Sequence, residues 1–147
     1  MRYLSPYRLA SYLLALFCAG HTVGGVLSQK GLSPEAYAVL ASMKAVQFDF
    51  HGSSSSWYEF WYGLGLSVSV FLLFSAIAAW QLDKVGPESW PAVSVIAWAL
   101  VASHVANVVL AWAYFFAGPG IISTAATLLL AVGTVRKQQL VAKDRAR

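Results

Sequence analysis

The amino-acid sequence predicts an all-α protein, a single membrane domain over residues 1–147 built as an integral membrane four-helix bundle with an amphipathic interfacial helix between spans one and two. Three observations predict it. Of the 147 residues, 59% are hydrophobic and 11% charged, and so small a domain cannot bury that much apolar surface in water. Uncharged stretches of membrane-crossing length recur along the chain. The six Trp, seven Tyr and eight Phe cluster at the ends of those stretches, where amphipathic rings meet headgroups.

The first span is expected over 7–28. It carries no charge after Arg8 and would extend roughly 33 Å as a helix, enough for a hydrocarbon core of about 30 Å. A cleaved signal peptide, with Arg2 and Arg8 as its basic region and Cys18-Ala19-Gly20 as its cleavage site, is the rival reading. The apolar run continues through Val26 and Leu27, longer than a signal core of roughly 7–15 residues, which favours a span. Ser33-Pro34-Glu35 then reads as a helix start: a capping hydroxyl, a proline in the first turn and an acid near the positive end of the dipole. An interfacial helix is expected over about 34–50, with Ala36, Val39, Leu40, Met43 and Phe50 on one stripe, and Gly52-Ser53-Ser54-Ser55-Ser56 ends it.

The second span, 57–82, opens on Trp57, Tyr58, Phe60, Trp61 and Tyr62. It contains two small-residue pairs, Gly63 with Ser67 and Gly65 with Ser69, that let another helix approach closely. The third span is expected over 90–117, with Pro91 tolerated in the first turn. Gly118-Pro119-Gly120 reads as a breaker before a short fourth span at 120–135. Residues 136–147 form a basic cytoplasmic tail, expected to be frayed. With both termini inside, the cytoplasmic side holds Arg2, Arg8, Lys84, Arg136, Lys137, Lys143, Arg145 and Arg147, whereas only Lys30 and Lys44 lie outside, a positive-inside arrangement.

The net charge of +4 lies beside apolar spans, so membrane lipids are the expected partners and nucleic acid is not. Cys18 is the sole cysteine, which rules out an internal disulfide and a thiolate metal cage. Polar residues within the spans need an explanation. His21 and His104 each lie roughly 21 Å from the cytoplasmic end of their spans, and Asn107 shares the face of His104. Glu59 and Tyr62 lie at the outer end of span two, and Tyr114 near the outer end of span three. If these faces point inward, His21, Glu59, Tyr62, His104, Asn107 and Tyr114 line a polar pocket in the outer half of the bundle, roofed by Asp49 and His51. Ionisable groups within a membrane are costly and mark function.

A structural reading stands beside the functional one: neutral histidines bonded to neighbouring polar groups act as interhelical glue. Glu59 reads equally as a solvated interfacial acid, Tyr114 as a belt residue, and Asp49 and His51 as loop residues. The functional readings are an apolar or amphipathic ligand in the pocket, acid–base chemistry on a lipid or isoprenoid-like substrate, a metal or haem site, and a proton path. Neither HxxxH nor HExxH spacing is present, so no metal and no cofactor is expected. No phosphate-binding loop or nucleophile elbow appears either. An accessory subunit, joined through the small-residue faces to a second copy or to another membrane protein, is the non-catalytic alternative.

The segments Gly20-His21-Thr22-Val23-Gly24-Gly25, Met43 through Gly52 and Trp57 through Leu82 resemble a family of small bacterial four-span inner-membrane proteins of unassigned function. The layout is also similar to that of DoxX-like proteins and, more distantly, to membrane sterol isomerases and integral terpene cyclases. The resemblance implies a four-span bundle in a bacterial inner (plasma) membrane. The two enzyme classes use carboxylates within their spans, whereas here Glu59, the carboxylate nearest a span interior, lies at its edge.

Overall fold

The computed structural model describes residues 4–146. Its elements, in chain order, are α1 (Pro6–Gly20), a π-helical segment (His21–Leu27), α2 (Pro34–Ala45), β1 (Gln47–Phe50), β2 (Ser53–Ser56), α3 (Trp57–Lys84), α4 (Trp90–Tyr114) and α5 (Ala117–Arg145). Among the described residues, four helical stretches are long and apolar enough to cross a membrane: Pro6–Leu27, Trp57–Lys84, Trp90–Tyr114 and Ala117–Arg145. The chain divides into two compact units, Met1–Phe17 with Leu72–Arg147, and Cys18–Phe71.

In the first of these units, α1 starts on Ser5, whose hydroxyl accepts the Arg8 backbone N–H at 3.1 Å, with Pro6 in the first helical position, where its missing N–H is not needed. Tyr7, Ala10 and Leu14, at spacings of three and four, are fully buried, and Ser11 on the same side donates to the Ala76 carbonyl of α3 at 2.8 Å. Tyr7 lies flat on Gly133 of α5. A Cβ there would stand 2.9 Å from the ring, so only glycine permits this approach.

The turn between α4 and α5 departs from expectation. The break falls at Phe115 and Phe116, both in extended backbone, rather than at Gly118-Pro119-Gly120. These three lie inside the first turn of α5, whose N–H groups have no helical acceptor in any case, so Pro119 breaks no hydrogen bond. Gly120 packs against the Trp112 indole, 2.7 Å from where its Cβ would be, and the Trp112 Nε1–H donates to Thr124 Oγ1 at 3.1 Å. Nor is the fourth helix short or the basic tail frayed: α5 is 29 residues long, about 43 Å. Residues 136–145 contain good helix formers and neither Gly nor Pro, and Lys143 and Arg145 in the last turn suit the negative end of the dipole.

In the unit Cys18–Phe71, α1 widens into the π-helical segment at His21. The Thr22 hydroxyl donates to the Cys18 carbonyl four residues earlier at 2.7 Å, a bond that competes with the backbone ladder. Helix α2 begins as expected, with Ser33 accepting from Ala36 N. It ends at Ala45, however, and none of its residues is buried. The expected helix over 34–50 is therefore corrected. Its last part, with the serines that follow, is an antiparallel hairpin in which Gln47 faces Ser56 and Phe50 faces Ser53. The alternation Gln47-Phe48-Asp49-Phe50 has the period of a strand. The two-residue turn His51-Gly52 has φ 52 and 83°, the positive values required by a hairpin turn that follows the strand twist. Glycine meets that requirement freely, and histidine adopts it more readily than bulkier residues.

Candidate functional site

In Cys18–Phe71, His21 is half-buried and its Nε2–H donates to the Gly65 carbonyl of α3 at 3.0 Å. Around it the chain is closely stitched: Cys18 Sγ donates to Ser69 O at 3.3 Å, the Thr22 hydroxyl reaches Ser69 Oγ at 2.8 Å, and Val26 packs 3.0 Å from the position of a Cβ on Gly65. The Gly65/Ser69 pair is thus a docking face for the π-helical segment, and His21 contributes to that docking.

Glu59 has a different task. Its carboxylate accepts from the Ser56 backbone N–H at 2.7 Å and from the Ser56 hydroxyl at 2.9 Å, while Ser56 Oγ accepts the Glu59 N–H at 3.2 Å. This is a reciprocal capping box at the start of α3, and Ser55 adds a further hydroxyl donor. Tyr62 stacks on Tyr58, with ring centroids 5.9 Å apart. Asp49 accepts the Gly52 N–H across the hairpin turn at 2.9 Å, and His51 is the left-handed turn residue beside it. Both are exposed, and these contacts are local to the hairpin. Among the described residues, no hydrogen bond or ion pair joins Asp49, His51 or Glu59 to His21 or Tyr62.

In the other unit, His104 is fully buried on α4. Asn107, one turn on, donates to Ser123 Oγ of α5 at 3.2 Å, and Ser123 is itself buried. Tyr114 is 78% exposed and lies with Phe115 and Phe116 at the α4–α5 corner. Two adjoining clefts, of about 190 and 310 Å³, open between the start of α4 and the end of α5 and share Pro91, Val141 and Arg145. Neither contains a residue of the pocket expected from the sequence. Among the described residues, no group of three or more His, Cys, Asp or Glu side chains is placed to hold a metal ion.

The most densely bonded polar centre of this unit went unrecognised in the sequence. Asp83, in the last turn of α3, takes the Arg8 Nε–H on Oδ2 at 2.6 Å and the Ser5 hydroxyl on Oδ1. The Arg8 guanidinium lies 3.6 Å from the centroid of the Trp80 ring, a cation–π contact. Lys137 of α5 donates to the carbonyls of Asp83 and Val85 at 2.8 and 2.6 Å, satisfying backbone acceptors that the end of α3 leaves open. A signal was present: an acid in a helix's last turn opposes the macrodipole and calls for cations nearby. In the sequence, Arg8 and Lys137 stand out only as positive charges flanking apolar runs.

The comparisons add no relative from which a role could be transferred, since no family model, no curated protein and no solved structure matches the chain.

Proposed function

We propose that the chain is a four-span integral membrane protein with both termini in the cytoplasm, and that it works by association within the membrane rather than by catalysis. Support for the membrane reading comes from the four long apolar helices and from their outward residues. Leu16, Val70, Phe74 and Val95 are all more than 60% exposed, the large apolar surface that a soluble monomer avoids. Placement in a bacterial inner membrane, implied by the resemblance to small bacterial four-span proteins, belongs to the same proposal. So does the orientation, which rests on the positive-inside distribution.

The observation that carries association is the contrast between the two small-residue pairs of α3. Gly65 and Ser69 are filled by Val26, Cys18 and Thr22. Gly63, by contrast, has nothing within 4 Å of its would-be Cβ, and Ser67 is exposed, with its hydroxyl returned to the Gly63 carbonyl at 3.0 Å. In lipid, helices pair where small residues let backbones approach. The open pair would therefore receive a helix of a second copy or of another membrane protein. Acid–base catalysis has less support, because the Glu59 carboxylate is engaged in capping its own helix. Cross-linking in intact membranes, read by mass spectrometry, tests the proposal. A cross-linked partner or dimer lost on Gly63→Leu but retained on Gly20→Ala, a control outside this face, supports association. A chain that remains uncross-linked, or cross-links equally in both variants, refutes it.

A second reading is favoured by the complete burial of His104 within a helix of spanning length, since a histidine at such depth is expensive unless it has a task. On this reading an apolar or amphipathic ligand is recognised by the buried polar side chains. Native mass spectrometry in mild detergent, comparing the wild type with a His104→Ala variant, tests it: a bound species lost only in the variant supports this reading, and no bound species in either refutes it.

A further inference from the structure

The hairpin Gln47–Ser56 has two chemically distinct faces. The register pairs Phe48 with Ser55 and Phe50 with Ser53, and Gln47 with Ser56 and Asp49 with Ser54. Cross-strand partners share a face and alternate residues share a face. One side therefore carries Phe48 and Phe50 among small serines, and the other carries Gln47, Asp49, Ser54 and Ser56. The aromatic side is continuous with the start of α3. The Phe48 ring centroid lies 5.0 Å from that of Trp57 and 6.0 Å from that of Phe60, and the Trp57 and Phe60 centroids lie 6.2 Å from each other. Phe50, at the tip, is 69% exposed, and Trp57 and Phe60 are about half exposed. The hairpin is fixed to that helix at its root, through the Trp57 N–H to the Val46 carbonyl at 3.3 Å and the Ser56–Glu59 capping box.

We propose that this hairpin is an interfacial membrane-insertion element, resting its Phe48–Phe50 face on the leaflet that α3 enters at Trp57 while its Asp49–Ser54 face stays in water. The inference rests on the membrane reading above and specifies something that reading does not. Three features commit the occupant to lipid. The aromatic face continues the ring belt of a spanning helix, and such belts lie at headgroup depth. Its single acid, Asp49, lies on the opposite face. A two-stranded hairpin also leaves unpaired N–H and C=O groups along both edges, which forbids entry into hydrocarbon but suits the hydrated headgroup region. Phe50 is then the anchor, reaching below the backbone toward the acyl chains. Lys44 completes the arrangement. Its ammonium lies 4.5 Å from the Tyr58 ring centroid, at the same end of α3, where lipid phosphates lie.

The test uses the full chain carrying Cys18→Ser, reconstituted into phosphatidylcholine–phosphatidylglycerol vesicles, with one nitroxide label introduced at a time through Phe50→Cys, Ser54→Cys or Val70→Cys. Phe50 and Ser54 are both exposed in the protein, so burial alone predicts equal behaviour. Insertion predicts that relaxation by oxygen relative to a water-soluble nickel chelate is several-fold higher at Phe50 than at Ser54, and that Phe50 approaches Val70, the reference within the span. Equal chelate accessibility at Phe50 and Ser54, with Val70 still oxygen-accessible, overturns the hairpin proposal and leaves the spans standing. Chelate access at Val70 overturns both.

Discussion

The cap at the start of helix α3 is made by its immediate neighbours in the chain, whereas its last turn is held by residues far along it. At its start, Ser56 and Glu59 cap one another three residues apart, and the aromatic contacts come from Phe48. At its end, Asp83 is held by Ser5, Arg8 and Lys137. The capping box survives in any context that keeps Ser56 and Glu59 together. The Asp83 arrangement exists only once three helices have assembled, so it reports tertiary structure, and a single substitution there should be felt by the whole unit.

Stability changes should therefore be largest around the long-range end. Tyr7, fully buried, packs on Gly133 and shares a 2.7 Å hydrogen bond with the Thr134 hydroxyl. Tyr7→Ala should lower stability by about 3–5 kcal/mol, the range for removing a buried aromatic ring, measured by thermal unfolding in detergent micelles. Gly133→Ala should destabilise by about 1–3 kcal/mol through overpacking against the Tyr7 ring. In the Tyr7→Ala background that penalty should vanish, because the clashing atoms are gone. Additive effects would mean that the Tyr7–Gly133 approach is not what holds α1 to α5.

Asp83→Ala should come next, at about 1–3 kcal/mol, the scale of hydrogen bonds to a charged group. The Arg8 and Asp83 side chains are 25 and 17% exposed, so solvent screening keeps the loss below that of a fully buried pair. A double-mutant cycle of Arg8→Ala with Asp83→Ala should show coupling of about 0.5 kcal/mol or more. Zero coupling would reduce the pair to a surface contact. Ser56→Ala, at the local end, should remove about 1 kcal/mol, and Glu59→Ala should add little to it, since each acts through the other. Hydrogen exchange should confine that loss to the first turn of α3.

The same contrast explains what the sequence made legible. Composition and span length depend on the solvent a segment needs, and the described residues include four helices of spanning length near where the apolar runs lie. The Gly65/Ser69 pair was readable because close approach demands small side chains on the helix itself. The Ser56-x-x-Glu59 box is equally local, but a carboxylate among Trp57, Trp61 and Tyr62 at a span edge also fits a pocket or a solvated interfacial acid, and those readings do not use its spacing to Ser56. The hairpin was missed because Phe50 also fits a helical stripe from Ala36, and short apolar runs admit both periods. The α4–α5 corner is displaced because Pro119 between two glycines has the composition of a breaker, whereas in the first turn of a helix, as at Pro34 and Pro91, proline breaks nothing. The Asp83 centre was out of reach for a different reason: a pairing between residues 75 apart leaves no periodic trace in either segment.

The smallest expected effect concerns the other local cap, at α2, and tests whether such caps are felt beyond their own turn. The Ser33 hydroxyl first, and Glu35's own backbone N–H second, hold the fully exposed Glu35 carboxyl below its ordinary value. A carboxyl whose pKa is lower in the folded helix than in the unfolded chain stabilises the helix in its ionised form. The contribution is therefore complete above the unfolded value, about 4.3, and is lost as the pH falls through the lowered one. Amide exchange at Ala36 and Tyr37 should quicken over that acidic range, and Glu35→Gln should abolish the pH dependence. Because α2 buries no residue, the melting of α3, α4 and α5 should not respond. If it does, α2 is coupled to the spans, and the division between local and long-range ends drawn from α3 does not extend to the rest of the chain.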